Sequence, residues 1–194
     1  MPSQVIELPL AEAVVLCLIA HEPRHGWAVV KALAPASDVG RVWSLSRPLT
    51  YRAIDGLLAK SLITRKGAER GEGPQRQILA VTALGRRVSE RWLSQPVSHF
   101  RDVRTELMLK LVLLNHLDRS PAALVQSQLE VFRPMLAALE EARAGPDVEL
   151  VDIWRFESSL AVRRFLEQAA QLNGTSEVVS PAGVGPLSPR RGRT

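Results

Sequence analysis

One cysteine, one tyrosine and a 5% share of aromatic residues are the main scarcities of this 194-residue chain. A lone thiol cannot build a disulfide framework, so a reducing cytosol is the expected setting. Cys17 stands inside Val14-Val15-Leu16-Cys17-Leu18-Ile19 and reads as a small buried hydrophobe rather than a redox sensor. There is no cysteine cluster and no His-Glu-x-x-His pattern. His21 and His25 straddle Pro23 in a turn, while His99 and His116 lie far along the chain. No metal site is therefore expected. Also missing are a Gly-x-Ser-x-Gly elbow, a phosphate-binding glycine loop followed by Lys-Ser/Thr, and a dinucleotide fingerprint. Gly71-Glu72-Gly73 falls in a hairpin tip instead. The chain is expected to be neither an enzyme nor a cofactor carrier. Its first apolar run, Leu8 to Ala20, is too short to span a bilayer, and the N-terminus lacks a basic leader region. A soluble, cytoplasmic protein with no membrane partner is the reading that follows.

Charge is present and unevenly placed. The net charge is +5; residues 1–95 carry 13 Lys/Arg against 8 Asp/Glu, whereas residues 96–172 carry 9 against 11. A basic module joined to a slightly acidic one suits a polyanion-binding head attached to an assembly domain.

The pattern along the chain sharpens this. Leu8 to Ala20 reads as a helix apolar on most faces, with Pro9 tolerated in its opening turn. His25 to about Leu33 reads as a second helix, capped or packed by His25 and stopped ahead of Pro35. Asp38 to Trp43 is expected to be a loop, with a short strand at Val42-Trp43. Ser46 reads as the N-cap of a third helix reaching Lys60, with Pro48 in its first turn. The inward positions of that helix are expected to be Leu49, Ala53, Leu57 and Leu58. Leu62–Arg65 and Arg76–Val81 read as strands flanking a glycine-rich, charged tip over 66–75. Thr82 caps a fourth helix through about Gln95. This order is that of a winged helix-turn-helix over residues 1–95.

After Pro96 come three helical stripes, spaced at three and four. The first is Phe100, Val103, Leu107, Leu111, Leu114 and Leu117. The second is Leu124, Leu129, Phe132, Leu136 and Leu139, with a kink expected at Pro134. The third is Val151, Trp154, Ala161, Phe165 and Leu172. Three such helices make a thin bundle, so residues 96–172 are expected to form a helical dimerisation domain covered by a second copy. Residues 173–194, rich in Gly, Ser, Pro and Arg, are expected to be a disordered tail. The fold class is thus mainly α, a winged helix followed by a helical dimerisation domain.

Several segments together resemble the PadR-like transcriptional regulators, in particular the longer members with an extended C-terminal helical domain. They are Ala20-His-Glu-Pro-Arg-His-Gly-Trp27, Trp43-Ser-Leu-Ser-Arg-Pro-Leu-Thr-Tyr51, Leu57-Leu-Ala-Lys-Ser-Leu-Ile63 and Leu79-Ala-Val-Thr-Ala-Leu-Gly-Arg86. The likeness covers about residues 8–117, and 118–172 by pattern only. Two positions depart from the family pattern: Pro48-Leu49-Thr50 replaces its Gly-Thr-Leu, and Ser61 replaces its glycine before Leu62. The resemblance implies a bacterial repressor, homodimeric, whose grip on double-stranded DNA is altered by a small, often aromatic, effector.

Candidate contacts follow from groove chemistry, in which base edges specify and phosphates position. Ser46, Arg47, Thr50, Tyr51 and Arg52 lie at the front of the third helix, the end that normally enters the major groove. Arg65, Lys66, Arg70, Gln75 and Arg76 would flank the minor groove from the wing. Trp92, His99, Phe100 and Arg101, at the junction of the two domains, are candidates for an effector site, being aromatics beside a cation. Two other readings stay open. One is a winged-helix protein-interaction scaffold without operator binding, favoured by the donor lost at Pro48. The other is a MarR-like regulator, disfavoured by three helices following the wing. The Arg190-Arg191-Gly192-Arg193 end could touch DNA or simply be solvated.

Overall fold

The computed structural model describes residues 6–69, 76–145 and 148–176, with backbone alone for Ala68, Glu69, Arg76 and residues 173–176. The chain opens with α1 (Leu10–His21), then a two-residue strand β1 (Arg24–His25), α2 (Gly26–Ala32), a short α3 (Asp38–Val42) and α4 (Arg47–Ala59). A hairpin of β2 (Ile63–Glu69) and β3 (Arg76–Val81) leads into α5 (Ala83–Ser94). The three strands form one antiparallel sheet in the order β1-β3-β2. Arg24 pairs with Leu79, and Ile63 with Val81, with a register shift between Lys66 and Ala68.

Local chemistry fixes the joints. His25 Nδ1 accepts from Ala28 N at 3.0 Å and so caps α2, as the sequence suggests. Thr82 Oγ1 accepts from Gly85 N at 3.0 Å and caps α5; its hydroxyl also lies 3.0 Å from the Ser61 carbonyl, tying α5 to the start of the wing. Gly85 is needed for this closeness, since a Cβ there would sit 2.0 Å from the Leu62 carbonyl oxygen. Ser61, standing where the family pattern has glycine, adopts φ 54°, a left-handed conformation that disfavours residues with a Cβ.

Two expectations are corrected at this level. Residues 38–42 form α3, not a loop ending in a strand: Ser37 Oγ accepts from Gly40 N at 2.9 Å and starts a helical turn. The small strand of the domain is β1 instead. In α4 the buried positions are Thr50, Ala53, Ile54 and Leu57, and Leu49 is 48% exposed. The buried stripe starts at a polar residue because the Thr50 hydroxyl donates to the Ser46 carbonyl at 3.0 Å, which satisfies it inside the core.

Helix α1 is the axle of the molecule. It packs against α2, α4, α5, β3 and also α6 (Met108–His116), which lies beyond the winged domain. A 3-10 turn (Phe100–Asp102) and a π turn (Val103–Leu107) lead into α6. The first C-terminal stripe is buried as expected at Val103, Leu107, Leu111 and Leu114. Helix α7 (Ala122–Arg143) contains Pro134 without ending there, and α8 (Leu150–Ser176) packs along it. The inward face of α8 is Phe156, Ser159 and Leu166. Of the stripe read from the sequence, Val151, Trp154, Ala161 and Leu172 are exposed and Phe165 is half-buried, so α7 covers a different face. Helix α8 also runs through 173–176, where a disordered tail was expected to begin; residues 177–194 lie outside the described residues.

The segment between α5 and the C-terminal helices is clamped from two sides. Gln128 of α7 accepts from Val97 N at 2.8 Å and donates to Val97 O at 2.9 Å. The buried Lys110 ammonium of α6 donates to Gln95 O at 2.7 Å, pairs with Glu106 at 2.7 Å and lies 4.9 Å from the Trp92 ring centroid. A buried ammonium needs such partners to offset its desolvation.

Candidate nucleic-acid interface

The front of α4 stands at one end of the winged domain, beside the wing. Its N-cap, Ser46, is exposed; its side chain makes no capping bond, and its carbonyl accepts from Thr50 N at 2.9 Å. Pro48 occupies the first turn, where its missing N–H takes no bond from the helix. Arg47, Tyr51 and Arg52 are all exposed. Arg52 has no ion-pair partner among the described residues, so its donors face solvent. Thr50 cannot serve as a surface contact: it is 0% exposed and engaged with Ser46.

Arg47 is held differently. Its guanidinium carbon lies 5.7 Å from the ring centroid of Trp27 and 5.8 Å from that of Tyr51. The Tyr51 ring is seated on Gly26, where an added Cβ would meet Tyr51 Cε1 at 2.9 Å. Together with His25, Asp55, Arg65 and Gln77, these residues line an open hollow of about 570 Å³ between α2, α4 and the sheet. In the wing, Arg65 approaches Asp55 at 3.9 Å, both side chains being largely exposed, and Lys66 is exposed. Arg70 and Gln75 lie outside the described residues, as does the Arg76 side chain. Trp27 is the part of this surface that residue-type reasoning missed. The exposed indole sits at the second position of α2, and only the fold brings it next to α4.

The junction quartet is not one site. Trp92 and His99 line a hollow of about 380 Å³ with Glu7, Arg91, Glu106 and Lys110. His99, Phe100 and Arg101 line another of about 800 Å³, with Arg104, Leu139, Trp154 and Arg155. Phe100 packs on the Phe132 ring at 4.3 Å between centroids, which turns part of its surface into the core. His99 alone borders both. Cys17 is buried, and that burial pushes its thiol up to about 12, which disfavours the reactive thiolate form. Among the described residues no group of three or more His, Cys, Asp or Glu side chains could hold a metal ion. No described helix is long and apolar enough to cross a membrane.

The chain is similar in fold to Bacillus subtilis PadR solved with operator DNA, at 18% identity and TM-score 0.45, covering 86% of this chain and 99% of that one. It is also similar to B. subtilis PadR with p-coumaric acid, at 18% identity and TM-score 0.40 over 86% and 99%. A third likeness is to smu.1604c from Streptococcus mutans, at 16% identity and TM-score 0.39 over 81% and 96%. Comparison with curated proteins returned no match. The family model of the PadR-like transcriptional regulators matches residues 15–91, a span that runs from α1 through the wing into α5. Over residues 15–91 this chain is thus similar to the transcriptional regulator PadR-like family.

Proposed function

We propose that this protein is a PadR-like transcriptional repressor that binds operator DNA as a homodimer, with an affinity set by a small molecule. The observation that carries the reading is the front of α4, where Arg47, Tyr51 and Arg52 are exposed beside a two-stranded wing. A helix end of this composition fits the major groove, with guanidinium forks for guanine edges or phosphates. Arg65 and Lys66, with Arg70, Gln75 and Arg76 of the tip, would then lie over the adjacent backbone or minor groove. Ser46, with its hydroxyl free of capping duty, adds a phosphate donor at the helix N-terminus.

Dimerisation is supported by α8, whose Leu150, Val151, Ile153, Trp154 and Leu172 are exposed. Such a row of apolar side chains favours burial against a second copy. An effector is supported by the larger C-terminal hollow, where Trp154 and Phe100 offer apolar surface and Arg101, Arg104 and Arg155 offer charge. In that arrangement residues 1–95 bind DNA and the helices from residue 96 onward assemble the dimer.

The test is fluorescence anisotropy with the DNA upstream of the protein's own gene against scrambled DNA, from roughly 50 to 300 mM salt. The expected outcome is sequence-preferring binding whose log K falls with log salt at a slope of about −5, for some six neutralised phosphates. Arg47→Glu with Arg52→Glu should abolish it without lowering the melting temperature. Weak, equal binding to both DNAs, unchanged by charge reversal, would instead indicate a protein-interaction scaffold.

A further inference from the structure

We propose that Trp27 is a positioning residue of the DNA interface: with Tyr51 it clamps the Arg47 guanidinium so that its N–H edge faces a pair of coplanar acceptors. This rests on the operator-binding reading and deepens it.

Three observations carry the inference. First, Trp27 is a large apolar side chain left 42% exposed. Second, Arg47 lies within cation–π distance of two rings at once, at 5.7 and 5.8 Å from their centroids. Third, the Tyr51 ring is fixed in turn by its seat on Gly26, the residue next to Trp27. The helix starts of α2 and α4 thus meet through Tyr51 on Gly26 and through Arg47 beside the Trp27 and Tyr51 rings.

The chemistry follows from the shape of the guanidinium. When a guanidinium stacks on a ring through its π face, its five N–H donors, which radiate in the plane, stay available to other acceptors. Arg47 makes no carboxylate pair among the described residues; Asp55, which lines the same hollow, approaches Arg65 instead. The clamp therefore orders the side chain without occupying its donors. An exposed arginine ordinarily gives up a large rotamer entropy on binding. A pre-ordered fork gives up less, and its geometry matches either the O6/N7 edge of a guanine or two oxygens of a phosphate. Lysine has no planar fork to present, so it could not take over this role.

The experiment begins by selecting a duplex from a random DNA library with the wild-type dimer. Affinities for that duplex and a scrambled one are then measured for Trp27→Ala, Trp27→Phe, Arg47→Ala and the Trp27→Ala/Arg47→Ala double variant, with melting temperatures alongside. Trp27→Ala is expected to weaken binding to the selected duplex roughly 3- to 30-fold. Trp27→Phe should recover most of that loss, and Trp27→Ala should add almost nothing once Arg47 is gone. If Arg47→Ala weakens both duplexes alike, the acceptor is phosphate; if it relaxes preference at one G·C pair, the acceptor is guanine. Either result supports the clamp and assigns its target. Unchanged affinity in Trp27→Ala while Arg47→Ala still weakens binding overturns the clamp and leaves the regulator standing. Losses that add in the double variant also overturn it, because they mark a structural effect independent of Arg47. If the wild type enriches no duplex and binds none, the operator-binding reading fails, and the clamp with it.

Discussion

In α1, every residue from Ala13 to Ile19 is buried, whereas α8, a 27-residue helix against 12, exposes Leu150 at 84% and Trp154 at 72%. Both helices are rich in apolar residues, and both read from the sequence as elements that need covering. The difference is in their neighbours. Helix α1 is enclosed by α2, α4, α5, α6 and β3, while α8 lies mainly along α7. A helix apolar all round is satisfied only at the centre of a domain. A helix with two apolar faces and one packed neighbour has a face left for another molecule.

The largest effect expected from breaking this comparison is in α1. Leu18→Ala should lower unfolding stability by about 3 kcal/mol in urea titration, since a fully buried leucine enclosed on all sides leaves a cavity that cannot collapse. The matched change in α8, Leu150→Ala, should stay within about 0.5 kcal/mol. Next in size is the seam between the two regions. Gln128→Leu removes both bonds to Val97 and strands a buried N–H and C=O, so a loss of about 2 kcal/mol is expected in the same titration. Equal stability of that variant would mean that the linker is held by Lys110 alone.

Smaller again is the effect of Trp154→Ser. It should leave the monomer's unfolding free energy within about 0.5 kcal/mol while weakening self-association about tenfold by analytical ultracentrifugation, a difference of about 1.4 kcal/mol. Unaltered association would remove α8 from the dimer interface. The smallest change sharpens the winged domain instead. Ser61→Gly relieves the left-handed backbone at φ 54° and should raise stability by roughly 0.5–1 kcal/mol, read as a higher melting temperature. A drop there would mean that the serine side chain contributes more than its backbone strain costs.

Legibility followed the range of the forces involved. The caps at His25 and Thr82, and with them the fourth-helix start, were readable because each depends on a donor and an acceptor three residues apart; the wing strands were readable from their composition and the glycine-rich tip between them. The α4 register was misread at one end because hydropathy ranks Leu49 above Thr50. The helix instead buries the threonine, whose hydroxyl finds the Ser46 carbonyl four residues back. Residues 38–42 were misread because a five-residue helix has almost no periodicity to detect. In α8 the stripe read from the sequence ran through Val151, Trp154, Ala161, Phe165 and Leu172, whereas contact with α7 buries the face through Phe156, Ser159 and Leu166.

The sequence by itself determined the winged-helix frame apart from α3 and β1, the basic N-terminal half and the placing of Arg47, Tyr51 and Arg52 at one helix start. These rest on local hydrogen bonds, periodicity and charge, all of which act within a few residues of chain. Tertiary structure alone decided that Trp27 meets Arg47 across twenty residues, and that Trp92 and Phe100 line different hollows around His99. It also decided which face of α8 is left uncovered. Those outcomes depend on how packed helices are oriented about α1, and orientation is set by the sum of many weak, non-directional contacts that no short stretch of sequence contains.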